Sequence, residues 1–380
     1  MSSASEHALP ELHRTGLSEF LHSPINWLFV FIPITVILEH LGHVSAPVLF
    51  FMAAVAIIPI AALIVHATEQ IATRTGDAVG GLLNATFGNA PELIIALVAL
   101  KAGLLDMVRA SLVGAILANL LLALGVGFVT GGIRYHDQRF NPTAARAYSS
   151  MMFLAAVSMT VPSAFSRVLA PNEVIRQEQL LNIGIAILLL LAYALYILYS
   201  LKTHSSAFAS LESEQDSTHH GEQWGVARAV ISLLAASVLA AWMSEILVGA
   251  AEETGRALGM SQVFIGIVFV AIVGGAAESG SAVAMARKNK MDLSVGIALG
   301  SCIQIALFVA PLLVIASYFI APQPLELAFS RAEIGSLFMA VLIGAMVCSD
   351  GQSNWYKGVQ LVTVYAIIAL MFYLIPDLAP

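Results

Sequence analysis

The sequence predicts an all-α polytopic membrane protein with about eleven transmembrane helices, and three observations carry that prediction. Of 380 residues, 59% are hydrophobic and only 11% are charged, with a mean hydropathy of +0.86. Soluble domains carry about 25% charge, so this chain lacks the polar groups to cover a water-facing surface. Its apolar runs reach the ~20 residues that cross a bilayer as helix. They do not alternate apolar with polar residues, as the strands of a membrane barrel would.

The predicted spans fall at 25–42, 46–72, 78–101, 106–130, 143–163, 178–202, 225–250, 260–286, 291–319, 332–349 and 354–376. The first is short and carries Glu39 and His40. Ahead of it, residues 1–24 form a polar, acid-containing tail without the basic-then-apolar order of a cleaved signal. Most connections are short. The exception is 203–223, THSSAFASLESEQDSTHHGEQ, which holds Glu212, Glu214, Asp216 and Glu222 and no Lys or Arg. It reads as a solvated linker or, more sharply, as a cation-attracting segment near a pore mouth. With the N-terminus in the cytoplasm, 11 Lys/Arg fall on cytoplasmic segments and 6 on external ones, so that orientation and a cytoplasmic linker are favoured. The net charge of −7 argues against a nucleic-acid partner. Cys302 and Cys348 both sit in apolar spans and read as buried free thiols.

Two stretches break the apolar pattern in the same way. GNAPEL at 88–93 and GGAAES at 274–279 each place one glutamate, Glu92 or Glu278, where no other charge lies nearby. Shifting 88–117 by 186 residues lays it on 274–303 without a gap: Gly88 meets Gly274, Glu92 meets Glu278, Asp106 meets Asp292 and Gly114 meets Gly300. Five predicted spans separate the two glutamates, an odd number, so the copies are expected to run through the membrane in opposite directions. Such inverted repeats build secondary transporters, with the site near the midplane where the repeats meet.

A carboxylate at the centre of a membrane helix costs roughly 2.5–3.5 kcal/mol on insertion scales. Neither segment contains a Lys or Arg partner, which leaves a proton or a bound cation. Two nearby carboxylates repel and favour retaining a proton, whereas a divalent cation between them displaces it. Proton and cation would then compete for one site. Around Glu92, Pro91 deprives the carbonyl of Phe87 of its helical donor, Gly88 loosens the same turn, and Asn89 stands three residues before the glutamate. Gly274 and Gly275 loosen the second copy. Amide and carbonyl oxygens of this kind are hard ligands suited to calcium, which takes about 6–8 of them. Asn119 and Gln304 follow the glutamates by 27 and 26 residues, and Ser301 precedes Gln304 by three, so all three join the candidate ligands. The small residues Ala276, Gly280 and Ala284 form a stripe expected to bring the motif helices together. Glu69, Glu245 and Glu252 are candidates, with Glu92 and Glu278, for a proton pathway.

GNAPELIIALVALKAGLLDMVRASLVGAILANLLLALG and GGAAESGSAVAMARKNKMDLSVGIALGSCIQIALFVAPL resemble the two signature repeats of the calcium/proton antiporters of the calcium/cation exchanger superfamily. The likeness extends to ATEQIATRTGDAVGGLLNATFGNAPEL and to DGQSNWYKGVQLVTVYAIIALMFY, and covers nearly all of the chain from about 25 onward. It implies an extra first helix at 25–42, a five-helix repeat within 43–202, the acidic cytoplasmic linker 203–223 and an inverted five-helix repeat within 224–380. It also implies that Glu92 and Glu278 bind calcium and exchange it for protons. Two departures stand in the second motif, where Gly275 and Ser279 occupy the places of the family's usual Asn and His. Ala115 stands where the family often has Ser. The amide of the second repeat is therefore missing.

The expected substrates are Ca2+ and H+, with lipid as the surrounding partner, a homo-oligomer left open and no cofactor. Sodium coupling or another cation is the alternative; Ala115 and Ile303 supply none of the hydroxyls that a sodium site uses. No HExxH, GxSxG or GxxxxGK[ST] pattern occurs, so an enzyme or P-loop pump is not expected. The expected location is a prokaryotic cell (inner) membrane.

Overall fold

The computed structural model describes residues 24–75, 77–169, 175–208 and 224–375. The predicted N-terminal tail, apart from its last residue, and 209–223 of the acidic linker lie outside the described residues.

Helix occupies each predicted apolar range. A 3-10 turn at Pro24–Val30 leads into α1 (Phe31–Leu41), and α2 (Ala46–Thr75) follows. Two short helices come next, α3 (Asp77–Phe87) and α4 (Ala90–Lys101). Then come α5 (Leu105–Tyr135), α6 (Pro142–Leu169) and α7 (Ile175–Leu198). Beyond the linker lie α8 (Val226–Leu258), the bent pair α9 (Gln262–Gly274) and α10 (Ala276–Arg287), α11 (Met291–Ile320), α12 (Arg331–Cys348) and α13 (Trp355–Leu374). Among the described residues, eight helices are individually long and apolar enough to cross a membrane, and the pair α9–α10, bent by 58°, makes a ninth if counted as one span. α1 is shorter, and α3 and α4 have only 11 and 12 residues, because Gly88 and Asn89 interrupt what composition alone reads as one span.

The 186-residue offset reappears in the element boundaries. Shifting α4 by 186 gives the bounds of α10, and shifting the start of α5 gives the start of α11. A π-helical turn interrupts α5 at Ala118–Ala123 and α11 at Ile305–Val309, within a residue of the same offset. Such turns widen a helix by one residue and often mark functional sites.

α5 is buried nearly all round and forms the centre of the molecule, whereas α7 and α13 turn leucines and other apolar side chains outward, as lipid-facing helices do. α2 and α8 pack along each other more extensively than any other pair, and α8 also covers α4. At one face a two-stranded antiparallel ribbon, β1 (Asp137–Arg139) with β2 (Gln352–Asn354), ties the α5–α6 connection to the α12–α13 connection. The buried side chain of Gln138 adds the α10–α11 turn, donating to the carbonyl of Ala286 at 2.9 Å and to Asn289 Oδ1 at 2.8 Å. The small-residue stripe does not have the expected role: Gly280 and Ala284 face outward, with no described residue within 4 Å of the place a Cβ would take at Gly280, and it is α9 that meets α4.

Candidate functional site

Each glutamate stands in the first turn of a half-helix. In the first copy, α3 ends at Phe87, Asn89 caps α4, and Pro91 fits the opening turn, where its missing N–H costs nothing. In the second, Gly275 is the cap and Glu278 lies in the first turn of α10. The positive end of a half-helix offsets part of the cost of a carboxylate at this depth.

Each break is approached by a side chain from the other half of the sequence. At Gly88 an added Cβ would lie 3.2 Å from Gln304 Oε1 and 2.7 Å from the carbonyl of Asn84. At Gly274 it would lie 2.9 Å from Glu92 Cγ, so glycine is what lets the Glu92 side chain cross the second break. A Cβ on Gly275 would meet Glu92 Oε1 at 3.5 Å and Asn119 Oδ1 at 3.7 Å. Glu92, Asn119 and the 274–275 break therefore form one cluster.

A chain of side-chain hydrogen bonds joins the neutral candidates. Asn89 Nδ2 donates to Gln304 Oε1 at 2.5 Å, and Ser301 donates its hydroxyl to Asn89 Oδ1 at 2.6 Å. Asn119 Nδ2 donates to Ser301 at 3.0 Å, and the Ser279 hydroxyl donates to Asn119 Oδ1 at 3.4 Å. Asn89, Asn119 and Ser301 are buried, and Asn119 sits in the π-turn of α5. The glutamates stand outside this network. Although the Glu92 stem is half-buried and Glu278 buried, all four of their carboxylate oxygens are shut off from solvent and have no hydrogen-bond partner among the described residues. A buried polar atom without a partner costs about 1–3 kcal/mol, more for a charge, so four such atoms together call for protons or a cation.

The sequence candidates thus divide. Glu92, Asn89, Gly88, Gly274, Ser301, Gln304 and Asn119 are brought together at the two breaks, and Glu278 opens α10 one turn beyond Gly275. The three outlying glutamates are not brought there. Glu69 is exposed near the end of α2. Glu252 is exposed, paired with Arg256, and borders a cavity of about 1210 Å3 shared with Asp106, Arg109 and Glu333, which neither Glu92 nor Glu278 lines. Glu245 points outward on the face of α8 that exposes Leu234, Val238 and Trp242, on the other side of the helix from buried Met243, Leu247 and Ala250. Rotation about the helix axis thus turns Glu245 away from the buried pair. Ser279, which the sequence marked only as a departure from the family motif, joins the network; its one legible signal was a hydroxyl directly after the motif glutamate.

Two broken helices, each carrying a buried glutamate, within a bundle of apolar helices define a polytopic membrane transporter of cations. A family model described as sodium/calcium exchanger protein matches residues 45–202 and 228–374, and the chain belongs to that family. It is 41% identical over 345 residues to the Ca(2+)/H(+) antiporter ChaA of Bacillus subtilis, covering 90% of this chain and 97% of the relative. It is 40% identical over 368 residues to a Ca(2+)/H(+) antiporter of Aphanothece halophytica, covering 92% and 96%. Among solved structures, native YfkE superposes with a TM-score of 0.78 at 39% identity, covering 92% of this chain and all of that one. The H+/Ca2+ exchanger CAX, at 16% identity and a TM-score of 0.69, shares the fold. These relatives are transporters, not enzymes.

Proposed function

We propose that this protein exchanges calcium for protons across a membrane by alternating access, with Glu92 and Glu278 as the shared carrier groups. The observation that carries this reading is the set of four buried, unpartnered carboxylate oxygens at the two helix breaks, in a chain whose relatives are named Ca2+/H+ antiporters. Protonated, the pair is neutral. With Ca2+ between two ionised carboxylates it is neutral again. Either form avoids carrying net charge through a low-dielectric interior, which is the condition for moving one load in each direction. Asn89, Asn119, Ser301 and Gln304 supply neutral oxygens around the cation, and Gly88 and Gly274 bring backbone close to it. The arrangement we favour is an N-terminal helix and two inverted five-helix repeats, eleven spans in all, with the N-terminus and the acidic linker in the cytoplasm of a prokaryotic cell.

Alternation is supported by an asymmetry between related glycines. Gly114 packs so tightly on α9 that a Cβ would fall 2.3 Å from the carbonyl oxygen of Ile267. At Gly300, its counterpart 186 residues on, no described residue lies within 4 Å of that place. The two related contacts are therefore unequal, as expected of two repeats that exchange roles.

Calcium flux in proteoliposomes, with pH and sodium gradients imposed separately, tests the reading. Uptake driven by the pH gradient alone is expected. Uptake that needs sodium, or calcium flux without proton counter-flux, would overturn it.

A further inference from the structure

The end of α13 beside the ribbon is flanked by two open clefts that share Tyr356, Lys357 and Gln360 as a common wall. One, of about 820 Å3, lies toward α5 and includes Ile133, His136, Asp137 and Trp355. The other, of about 670 Å3, runs between α12 and α13 and is mostly apolar, with Ile343, Met346, Val347, Val359 and Val364. The wall changes character along the helix. Trp355 and Tyr356 are exposed, and such aromatic side chains mark the level of a membrane interface. Gln360 and Thr363 stand about 9 and 14 Å further along the axis from the cap residue Asn354, at 1.5 Å per residue. Both are exposed and make no side-chain hydrogen bond among the described residues. Acyl chains offer such groups nothing, whereas the ester carbonyls and glycerol of a lipid do.

Beyond the aromatic pair, the connections gathered at the ribbon are basic. Arg134, Arg139, Arg287 and Lys288 are exposed and have no acidic partner among the described residues. The Tyr135 hydroxyl donates to the carbonyl of Arg287 at 3.2 Å and so holds the α10–α11 turn beside the end of α5. The acids on these connections are mostly engaged. Asp350 is paired with Lys357, and Asp292 accepts the backbone N–H of Asn141 at 2.6 Å. Asp137, on the rim of the larger cleft, is left against four cations. We propose that the two clefts hold one anionic glycerophospholipid from the leaflet on the ribbon side. Its phosphate lies among the four cations, its ester groups meet Gln360 and Thr363, and an acyl chain fills the α12–α13 cleft. Cation, aromatic ring, amide and hydroxyl, then aliphatic side chain is the order of such a lipid read from headgroup to tail. A free phosphate would leave the apolar cleft unused, and a zwitterionic lipid would bring a further cation to a face that is already basic. The proposal does not depend on the exchanger reading.

The test is lipid binding to the purified full-length protein in detergent, counted by native mass spectrometry during titration. Dioleoyl phosphatidylglycerol is compared with dioleoyl phosphatidylcholine and with glycerol phosphate, which has the headgroup charge and no chains. One phosphatidylglycerol is expected to bind at least about tenfold more tightly than either of the others. A Lys or Arg near an anionic surface contributes about fivefold in affinity, equivalent to about 1 kcal/mol. Arg134→Gln/Arg139→Gln is therefore expected to weaken phosphatidylglycerol by at least about tenfold and to leave phosphatidylcholine unchanged. Thr363→Phe, which places a ring in the α12–α13 cleft, is expected to weaken both lipids. Equal affinity for the two lipids, or an unmoved phosphatidylglycerol affinity in the double variant, would overturn the proposal, whether the basic face then serves the acidic linker or water. Glycerol phosphate binding as tightly as phosphatidylglycerol would overturn it in favour of a free anion. Unchanged lipid binding in folded Thr363→Phe would overturn the placing of the chain. If that variant does not fold, Gln360→Leu decides, with a loss of phosphatidylglycerol affinity expected and wild-type affinity overturning the site.

Discussion

Gly300→Leu is expected to slow turnover while leaving the site intact. No described residue lies within 4 Å of the place a Cβ would take at Gly300, so a side chain can start there without meeting one. In the opposite state of the carrier, Gly300 would take the role that Gly114 has now. There a Cβ falls 2.3 Å from the Ile267 carbonyl oxygen and 2.5 Å from its Cα, both backbone atoms that cannot swing aside. Overpacking of this kind costs typically 1–3 kcal/mol. At 1.4 kcal/mol per factor of ten, the population of the second state falls by about 5- to 150-fold. The maximal rate of pH-driven calcium uptake in proteoliposomes should fall by a similar factor, while calcium binding in detergent and the unfolding temperature stay close to wild type. The reciprocal change, Gly114→Leu, should destabilise the present fold. Wild-type turnover in a folded Gly300→Leu protein would refute the idea that the two halves exchange this contact. Lost binding with unchanged stability would show that Gly300 belongs to the cation site itself.

Glu92→Gln and Glu278→Gln should each abolish proton-coupled calcium flux without unfolding the protein, since glutamine keeps size and an oxygen but loses the titrating charge; flux assays on the folded variants check this, and wild-type rates would remove that glutamate from the carrier role. Apparent calcium affinity should rise with pH wherever either glutamate is still protonated, because the deprotonated form is the one that binds metal; titrations at stepped pH check it, and a flat profile across the range where transport is pH-driven would mean that protons travel elsewhere. Away from the membrane-spanning helices, partial burial raises the pKa of Asp350, but Lys357 Nζ at 2.7 Å from both carboxylate oxygens and the backbone N–H of Gln352 at 3.1 Å outweigh it and hold the group below its ordinary value of 3.8. A folded-state value below the unfolded one stabilises above the unfolded value and is lost as pH falls through the folded one. Asp350→Asn should therefore lower stability slightly at neutral pH, by under about 1 kcal/mol for a partly exposed pair, and the gap to wild type in unfolding temperature should close in strong acid; a gap independent of pH would show that the ion pair is not its source.

Hydropathy located the helices because crossing a bilayer demands length and apolar composition, which a sequence displays directly. The buried pair was legible for the complementary reason, since Glu92 and Glu278 stand alone in long uncharged stretches. Rotation about a helix axis was not. In a soluble helix the apolar stripe points inward, so the period carries a direction. In a membrane helix both lipid and core accept Leu and Val, and nothing in the sequence around Glu245 distinguishes the face of Leu234 and Val238 from that of Met243 and Leu247. The break of 78–101 into α3 and α4 was visible as GNAP, but not the fact that Gly88 makes room for Gln304, more than two hundred residues away.

The same distance hides the polar network from a reading of the sequence alone. Asn89 reaches partners 212 and 215 residues away, so no local window shows that Asn89, Ser301 and Gln304 share one hydrogen-bonded unit. Within the membrane each such group stabilises only while its partners remain. When one is lost, the others become unsatisfied polar atoms in a medium without water, at a cost of several kcal/mol each. Asn89, Ser301 and Gln304 therefore depend on one another. Glu278 is present although position 275 carries no amide, so this carboxylate does not depend on a neutral partner at that position.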